Sequence, residues 1–135
     1  MQTICAFLAL MPLGLHAETV TIEPNAHYPE GPLWHGGRLY YAEMSRDRIV
    51  ARKDGKSSTF WQQPGCGPTS IAYAPGGFVV ACHYGRVLVR ISAEGKTRSI
   101  ITKDARGRPI GNANDSIADA KGGVYFTSSG VFIAS

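Results

Sequence analysis

The hydrophobic pattern of this chain is dominated by short apolar runs that follow Gly-Gly pairs. Such pairs lie at 36–37, 76–77 and 122–123, and each precedes a run of aromatic and β-branched residues. A glycine-rich turn before such a run is typical of a β-hairpin. The apolar positions do not follow the 3.6-residue spacing of an amphipathic helix. The pattern therefore predicts an all-β protein.

The hairpins recur at a fixed distance. Gly37 and Gly77 are 40 residues apart, and the turns at 54–55 and 94–95 keep the same offset. The third Gly-Gly pair comes 46 residues after the second, and the excess falls in the polar stretch 102–111. A period of about 40–50 residues with some four short strands is typical of β-propeller blades. An antiparallel sandwich with chance similarity between hairpins is the alternative, but two elements that share one offset favour the propeller. Five aromatic residues of the strand runs are then expected in the core between blades: Tyr40, Tyr41, Tyr73, Tyr125 and Phe126.

The first 17 residues have the layout of a secretory signal peptide. The stretch 4–15 is almost entirely apolar but too short to span a bilayer, and small Ala17 stands at the cleavage position. A buried first strand or short helix of a cytosolic protein is the alternative. We predict a signal peptide at 1–17 and a partial propeller domain at 18–135, in the periplasm or secreted, with no membrane association after cleavage.

Cleavage would leave two cysteines, Cys66 and Cys82. Two cysteines in an oxidising compartment can pair. Their expected positions, in a loop before one strand and at the end of the next, do not obviously bring the two thiols together. The sequence leaves the disulfide open.

Composition and charge exclude several functional classes. The chain is 44% hydrophobic with a net charge of +4, and its basic residues are dispersed, so we expect no nucleic-acid partner. The sequence has no phosphate-binding glycine loop, no Gly-x-Ser-x-Gly elbow and no zinc-like Cys/His spacing.

Four segments, in order, resemble the gluconolactonase/regucalcin (senescence marker protein-like) family; they lie at 28–41, 67–77, 81–87 and 111–127. Members are six-bladed propellers that hydrolyse lactones or related esters around one divalent cation on the central axis. The resemblance implies that this chain is the N-terminal part, about two and a half blades of antiparallel four-stranded sheet, and that it is truncated. An incomplete ring exposes sheet faces and edges, so self-association that covers them is also expected.

The resemblance also implies a set of site residues. Glu30 corresponds to the metal ligand of the first blade, and Asn114 to a pore residue that ligates the metal or faces the substrate. Ca²⁺ is the cation most expected, since it prefers oxygen ligands, although Zn²⁺ and Mn²⁺ also accept them. Asn112 corresponds to a position that lines the substrate pocket, and Thr69 to one that points into the pore.

His83 ends an apolar strand, at a position comparable to a catalytic histidine of the distantly related paraoxonases. All these residues also have a structural interpretation, because Asn and Asp form turns and a histidine can serve as an edge residue. The family's later metal ligands and its base lie in blades beyond this chain. Three hypotheses follow: a metal-dependent lactone hydrolase, a non-catalytic propeller that binds a ligand, or an inactive truncated fragment.

Overall fold

A computed structural model describes residues 18–119 and 121–129; the predicted signal peptide lies outside this range. The described residues form a single-turn 3-10 helix, Met44–Arg46, and ten strands: β1 Pro29–His35, β2 Arg38–Glu43, β3 Arg48–Lys53, β4 Lys56–Gln62, β5 Pro68–Ala74, β6 Gly77–Cys82, β7 Val87–Ile91, β8 Thr97–Ile101, β9 Asn112–Ala118 and β10 Val124–Ser129. None of their helices is long and apolar enough to cross a membrane.

The strands form two antiparallel four-stranded sheets and one hairpin. The strand orders are β1-β2-β3-β4 and β5-β6-β7-β8, and β9 pairs with β10. The three Gly-Gly pairs join β1 to β2, β5 to β6 and β9 to β10. The predicted all-β fold of two and a half blades is confirmed.

Two hydrophobic cores lie on opposite faces of the central sheet. Val80 is fully buried in the core against the first sheet, and Val79 is 1% exposed in the core against the β9–β10 hairpin. Because side chains alternate across a strand, a continuous apolar run is what a strand between two sheets requires. The buried run in β6 therefore reflects packing on both of its faces.

Aromatic rings join the first two sheets around Phe78, which is 3% exposed. The ring centroids of Tyr40 and Phe60 lie 5.0 and 5.5 Å from that of Phe78. At the far end of β1, His35 stacks on Tyr73 with a centroid separation of 3.8 Å.

Cys66 and Cys82 form a disulfide, with Cα atoms 4.6 Å apart. The sequence left this pairing open, and the structure brings the two cysteines together. Antiparallel pairing places Pro68, the first residue of β5, opposite Cys82, the last residue of β6. A cysteine two residues before β5 therefore reaches the end of β6.

Two tyrosines assigned to the core from their hairpin pattern are exposed instead. Tyr125 is 68% exposed and Tyr73 is 44% exposed. Tyr125 lies opposite Ile117, which is 69% exposed, on the face of the β9–β10 hairpin that is turned away from the central sheet.

Candidate functional site

The inner strands β1, β5 and β9 lie side by side and line an open cleft of about 600 Å³. Thr69 bonds to the carbonyl of Ala113, and the Ser70 hydroxyl lies 2.7 Å from that of Ser116, so β5 and β9 run in the same direction. Strands that run in the same direction bring their first residues to one end of the cleft.

Three of the predicted site residues line this cleft, one from each inner strand: Glu30, Thr69 and Asn114. Asn114 is exposed and Glu30 is half-buried. These residues are far apart in sequence, and the packing of the sheets brings them to a common cavity.

The position of Glu30 depends on Gly31. The backbone of Gly31 has φ +48°, and a Cβ built on it would lie 2.5 Å from the Cα of Ser70. Only glycine combines this dihedral with such a close approach. The register of β1 also shifts between Glu30 and Leu33. A bulge packed against β5 therefore places the Glu30 carboxylate beside the second sheet.

Thr69 is 4% exposed, and its hydroxyl serves the packing of the sheets. The hydroxyl oxygen lies 3.2 Å from the carbonyl oxygen of Ala113 and 3.4 Å from that of Ala81. Its single hydrogen is therefore committed to backbone acceptors that join β5 to its neighbours, and Thr69 is part of the wall of the cleft.

His83 and Asn112 are not among the residues that line the cleft; they lie beside it, next to Ala113, at what we call its rim. The Nδ1 atom of His83 lies 3.1 Å from the carbonyl oxygen of Ala113, and the Asn112 amide donates to the carbonyl of His83 at 3.1 Å. A carbonyl only accepts, so Nδ1 carries the hydrogen of this bond. In the neutral imidazole, Nε2 then holds the lone pair.

The side chain of Asp115 is used locally. Its Oδ1 atom accepts a hydrogen bond from the Ser116 amide at 2.8 Å, and its own amide donates to Thr127 at 3.0 Å. The first bond lies within β9 and the second joins β9 to β10, as expected for a structural residue. Asp115 nevertheless borders the cleft beside Asn114 and adds a second carboxylate to its lining.

The donor set of the cleft fits a hard cation in part. Carboxylate and amide oxygens from Glu30, Asn114 and Asp115 are the kind that Ca²⁺ prefers, but Ca²⁺ takes six to eight such ligands. Within 18–119 and 121–129, no three His, Cys, Asp or Glu side chains cluster closely enough to hold a metal ion. The described residues thus provide part of an oxygen site.

The sequence did not single out Tyr84, which follows His83 at the rim. It is 62% exposed, and its ring lies in T-shaped contact with that of His83, with centroids 5.5 Å apart. The position of a tyrosine directly after a candidate histidine was the only signal in the sequence.

Comparison with known proteins agrees with this architecture. The model of the family described as "SMP-30/Gluconolactonase/LRE-like region" matches residues 28–135. A search of curated proteins found no significant match.

Solved structures share the fold at low sequence identity. A gluconolactonase from Xanthomonas campestris superposes with a TM-score of 0.67 at 22% identity, over 76% of this chain and 35% of its own length. A putative gluconolactonase gives 0.64 at 20% identity, over 78% and 37%. Virginiamycin B lyase from Staphylococcus aureus gives 0.62 at 19%, over 78% and 36%.

This chain thus spans about a third of the length of each of these structures. At these identities the structural matches establish the β-propeller fold alone, whereas the family model covers well over half of the chain. The chain therefore belongs to the SMP-30/gluconolactonase/LRE-like family.

Proposed function

We propose that this chain forms part of a metal-dependent lactonase, a hydrolase of cyclic esters. The observation that carries the proposal is the convergence of Glu30 and Asn114 on one axial cleft, from strands about 80 residues apart. Membership of the family and the fold shared with a gluconolactonase support it. A bare structural scaffold does not require both a carboxylate and an amide at the same end of its inner strands.

The carboxylate of Glu30 and the side-chain oxygen of Asn114 would hold the cation, for which Ca²⁺ is our first choice and Zn²⁺ or Mn²⁺ the others. When bound, such a cation polarises an ester carbonyl and lowers the pKa of water. The chain's own groups orient the substrate. Thr69 and Ser70 form the wall of the cleft, and the Ala113 carbonyl fixes the ring of His83 so that Nε2 is the nitrogen able to accept a proton.

We also propose that the protein acts in the periplasm or outside the cell. Disulfides persist in oxidising compartments and are rare in the cytosol, and the Cys66–Cys82 bond supports this location. The apolar stretch at 4–15 followed by Ala17 supports it independently.

The decisive test is Glu30→Gln, which removes a charge at nearly constant volume. We expect the variant to lose hydrolysis of D-glucono-1,5-lactone with Ca²⁺, Zn²⁺ and Mn²⁺, and to bind Ca²⁺ more weakly by calorimetry. Glu18→Gln, at an exposed carboxylate outside the cleft, is the matched control and should behave as wild type.

Full activity in Glu30→Gln would overturn the proposal. Saturable binding of the lactone without turnover in the presence of any of the three metals would instead identify a propeller that binds a ligand and does not hydrolyse it.

A further inference from the structure

We propose that Tyr84 is a substrate-binding platform, on which the ring of the lactone stacks face-on at the rim of the cleft. This inference rests on the proposed lactonase function and adds to it a residue that selects ring-shaped substrates. Tyr84 lies in the turn 83–86 between β6 and β7, and His83 is the residue of this turn to which the proposed function gives a role.

The Tyr84 ring is held in a fixed position. Gly67 has φ +54°, and a Cβ placed on it would overlap the Tyr84 ring, so the ring lies directly on the glycine backbone. The carbonyl of Cys66 accepts hydrogen bonds from the amides of Tyr84 and Gly85, at 3.0 and 3.1 Å. The aromatic side chain is thus supported by backbone, while 62% of its surface remains open to solvent.

The disulfide links the Tyr84 ring to the segment that supports it. The Cys66–Cys82 bond joins the segment beneath the ring, which includes Gly67, to the segment that carries His83 and Tyr84. Both cysteines are buried, at 1% and 0% exposure. The covalent link therefore fixes the spacing between the platform and its support, and a preorganised contact costs less conformational entropy on binding.

The Tyr84 ring is also connected to the cleft. The carbonyl oxygen of Ala113 receives hydrogen bonds from both His83 Nδ1, at 3.1 Å, and Thr69, at 3.2 Å. Thr69 lines the cleft, and His83 contacts Tyr84 ring to ring. The Tyr84 ring is therefore linked to the wall of the cleft through the His83 ring and the Ala113 carbonyl.

The chemistry of a lactone ring fits this arrangement. Its C–H face is apolar and matches the open face of a tyrosine, whereas its carbonyl and hydroxyl groups match the polar end of the cleft. Binding sites commonly combine aromatic surface with a few placed polar groups in this way. A linear ester lacks the flat ring and gains less from the platform.

The experiment compares Tyr84→Ala, Tyr84→Phe and Tyr84→Leu with wild type. Tyr125→Ala is the matched control, because Tyr125 is similarly exposed, at 68%, and is not among the residues that line the cleft. Turnover of D-glucono-1,5-lactone gives kcat and KM, and calorimetry with the corresponding lactam, which resists hydrolysis, gives Kd without chemistry. Melting temperatures check that each variant folds.

We expect Tyr84→Ala to raise both KM and the lactam Kd about tenfold, with kcat unchanged, as loss of an aromatic contact predicts. Tyr84→Phe keeps the ring face and should remain within about twofold of wild type. Tyr84→Leu still covers Gly67 but lacks the ring, so it should resemble Tyr84→Ala and exclude a purely structural effect. Tyr125→Ala should change nothing.

The outcomes separate this inference from the proposed function. Turnover with an unchanged KM in Tyr84→Ala and Tyr84→Leu would keep the lactonase and overturn the platform. Lactam binding that both variants weaken, without turnover by wild type, would keep the platform and overturn the lactonase. Neither turnover nor lactam binding by wild type would overturn both.

Discussion

The central sheet β5–β8 and the β9–β10 hairpin are built from the same hairpin pattern, yet they bury their residues very differently. Val80 and Ala81 of β6 are completely buried, whereas Ile117 and Tyr125 of the hairpin are 69% and 68% exposed. Among the described residues, the central sheet has a packed neighbour on each face, and the hairpin has one on a single face. In a propeller, burial is thus a property of the neighbouring sheets more than of the residue itself.

The largest expected effect tests this contrast directly. Phe78→Ala in the central sheet removes a ring that contacts Tyr40, Phe60 and Tyr73. We expect a loss of about 3–5 kcal/mol in the free energy of unfolding, measured by urea titration. Ile117→Ala, on the open face of the hairpin, should change it by no more than about 0.5 kcal/mol. Equal losses at the two positions would show that the hairpin face is covered in solution.

A smaller effect is expected from the disulfide, which closes the hairpin of the central sheet; the segment 112–129 contains no cysteine. Changing both cysteines to alanine should lower the free energy of unfolding by about 2–4 kcal/mol, because the cross-link restricts the unfolded chain. Urea titrations with and without dithiothreitol measure this. Wild type should lose stability in dithiothreitol and the double variant should not. A wild type insensitive to the reductant would contradict the prediction.

The smallest effect concerns the loop 102–111, which connects the central sheet to the hairpin. The hydrogen bond from the Arg108 side chain, together with amides of the loop, holds the pKa of Asp104 below its ordinary value. The folded-state pKa is the lower one, so the charge stabilises the fold above the unfolded-state pKa. That stabilisation disappears as the pH falls through the folded-state pKa.

We therefore expect Asp104→Asn to melt slightly below wild type at pH 7 and to approach it below about pH 4. Because Asp104 is exposed to solvent screening, the difference should be small. Scanning calorimetry from pH 7 to about pH 2.5 gives both curves. Asp54→Asn, in an exposed turn of the first sheet, is the control. A difference that stayed constant at all pH values would exclude the charge as its cause.

Local pattern was sufficient for the strands and their turns. The Gly-Gly pairs and the 40-residue offset located the hairpins, because turn geometry demands glycine and strand burial demands apolar residues. The prediction that Tyr125 is buried was wrong, because the pattern that forms a hairpin does not reveal which face of it packs against another sheet. The sequence left the disulfide open for a similar reason, since the pairing register decides which residues lie opposite one another.

The residues expected in the candidate site fall into two groups, those that the structure places on the cleft and those that it places beside the cleft. Glu30, Thr69 and Asn114 were identified from short motifs, and the structure places all three on one cleft. His83 and Asn112 were identified as well, yet the structure places them at the rim, where the Asn112 amide donates to the His83 carbonyl and the His83 ring bonds the Ala113 carbonyl. Tyr84 gave no comparable signal, because the position of its ring depends on Gly67, a residue of a different strand connection.

Local sequence was enough to specify an all-β chain of repeated hairpins, because turns and strands depend on neighbouring residues. Which inner strands share a cleft, which side chains line it and which form its rim follow from the fold. Those relations join residues about 40 to 85 positions apart in the chain, and they are set by the packing of one sheet on the next.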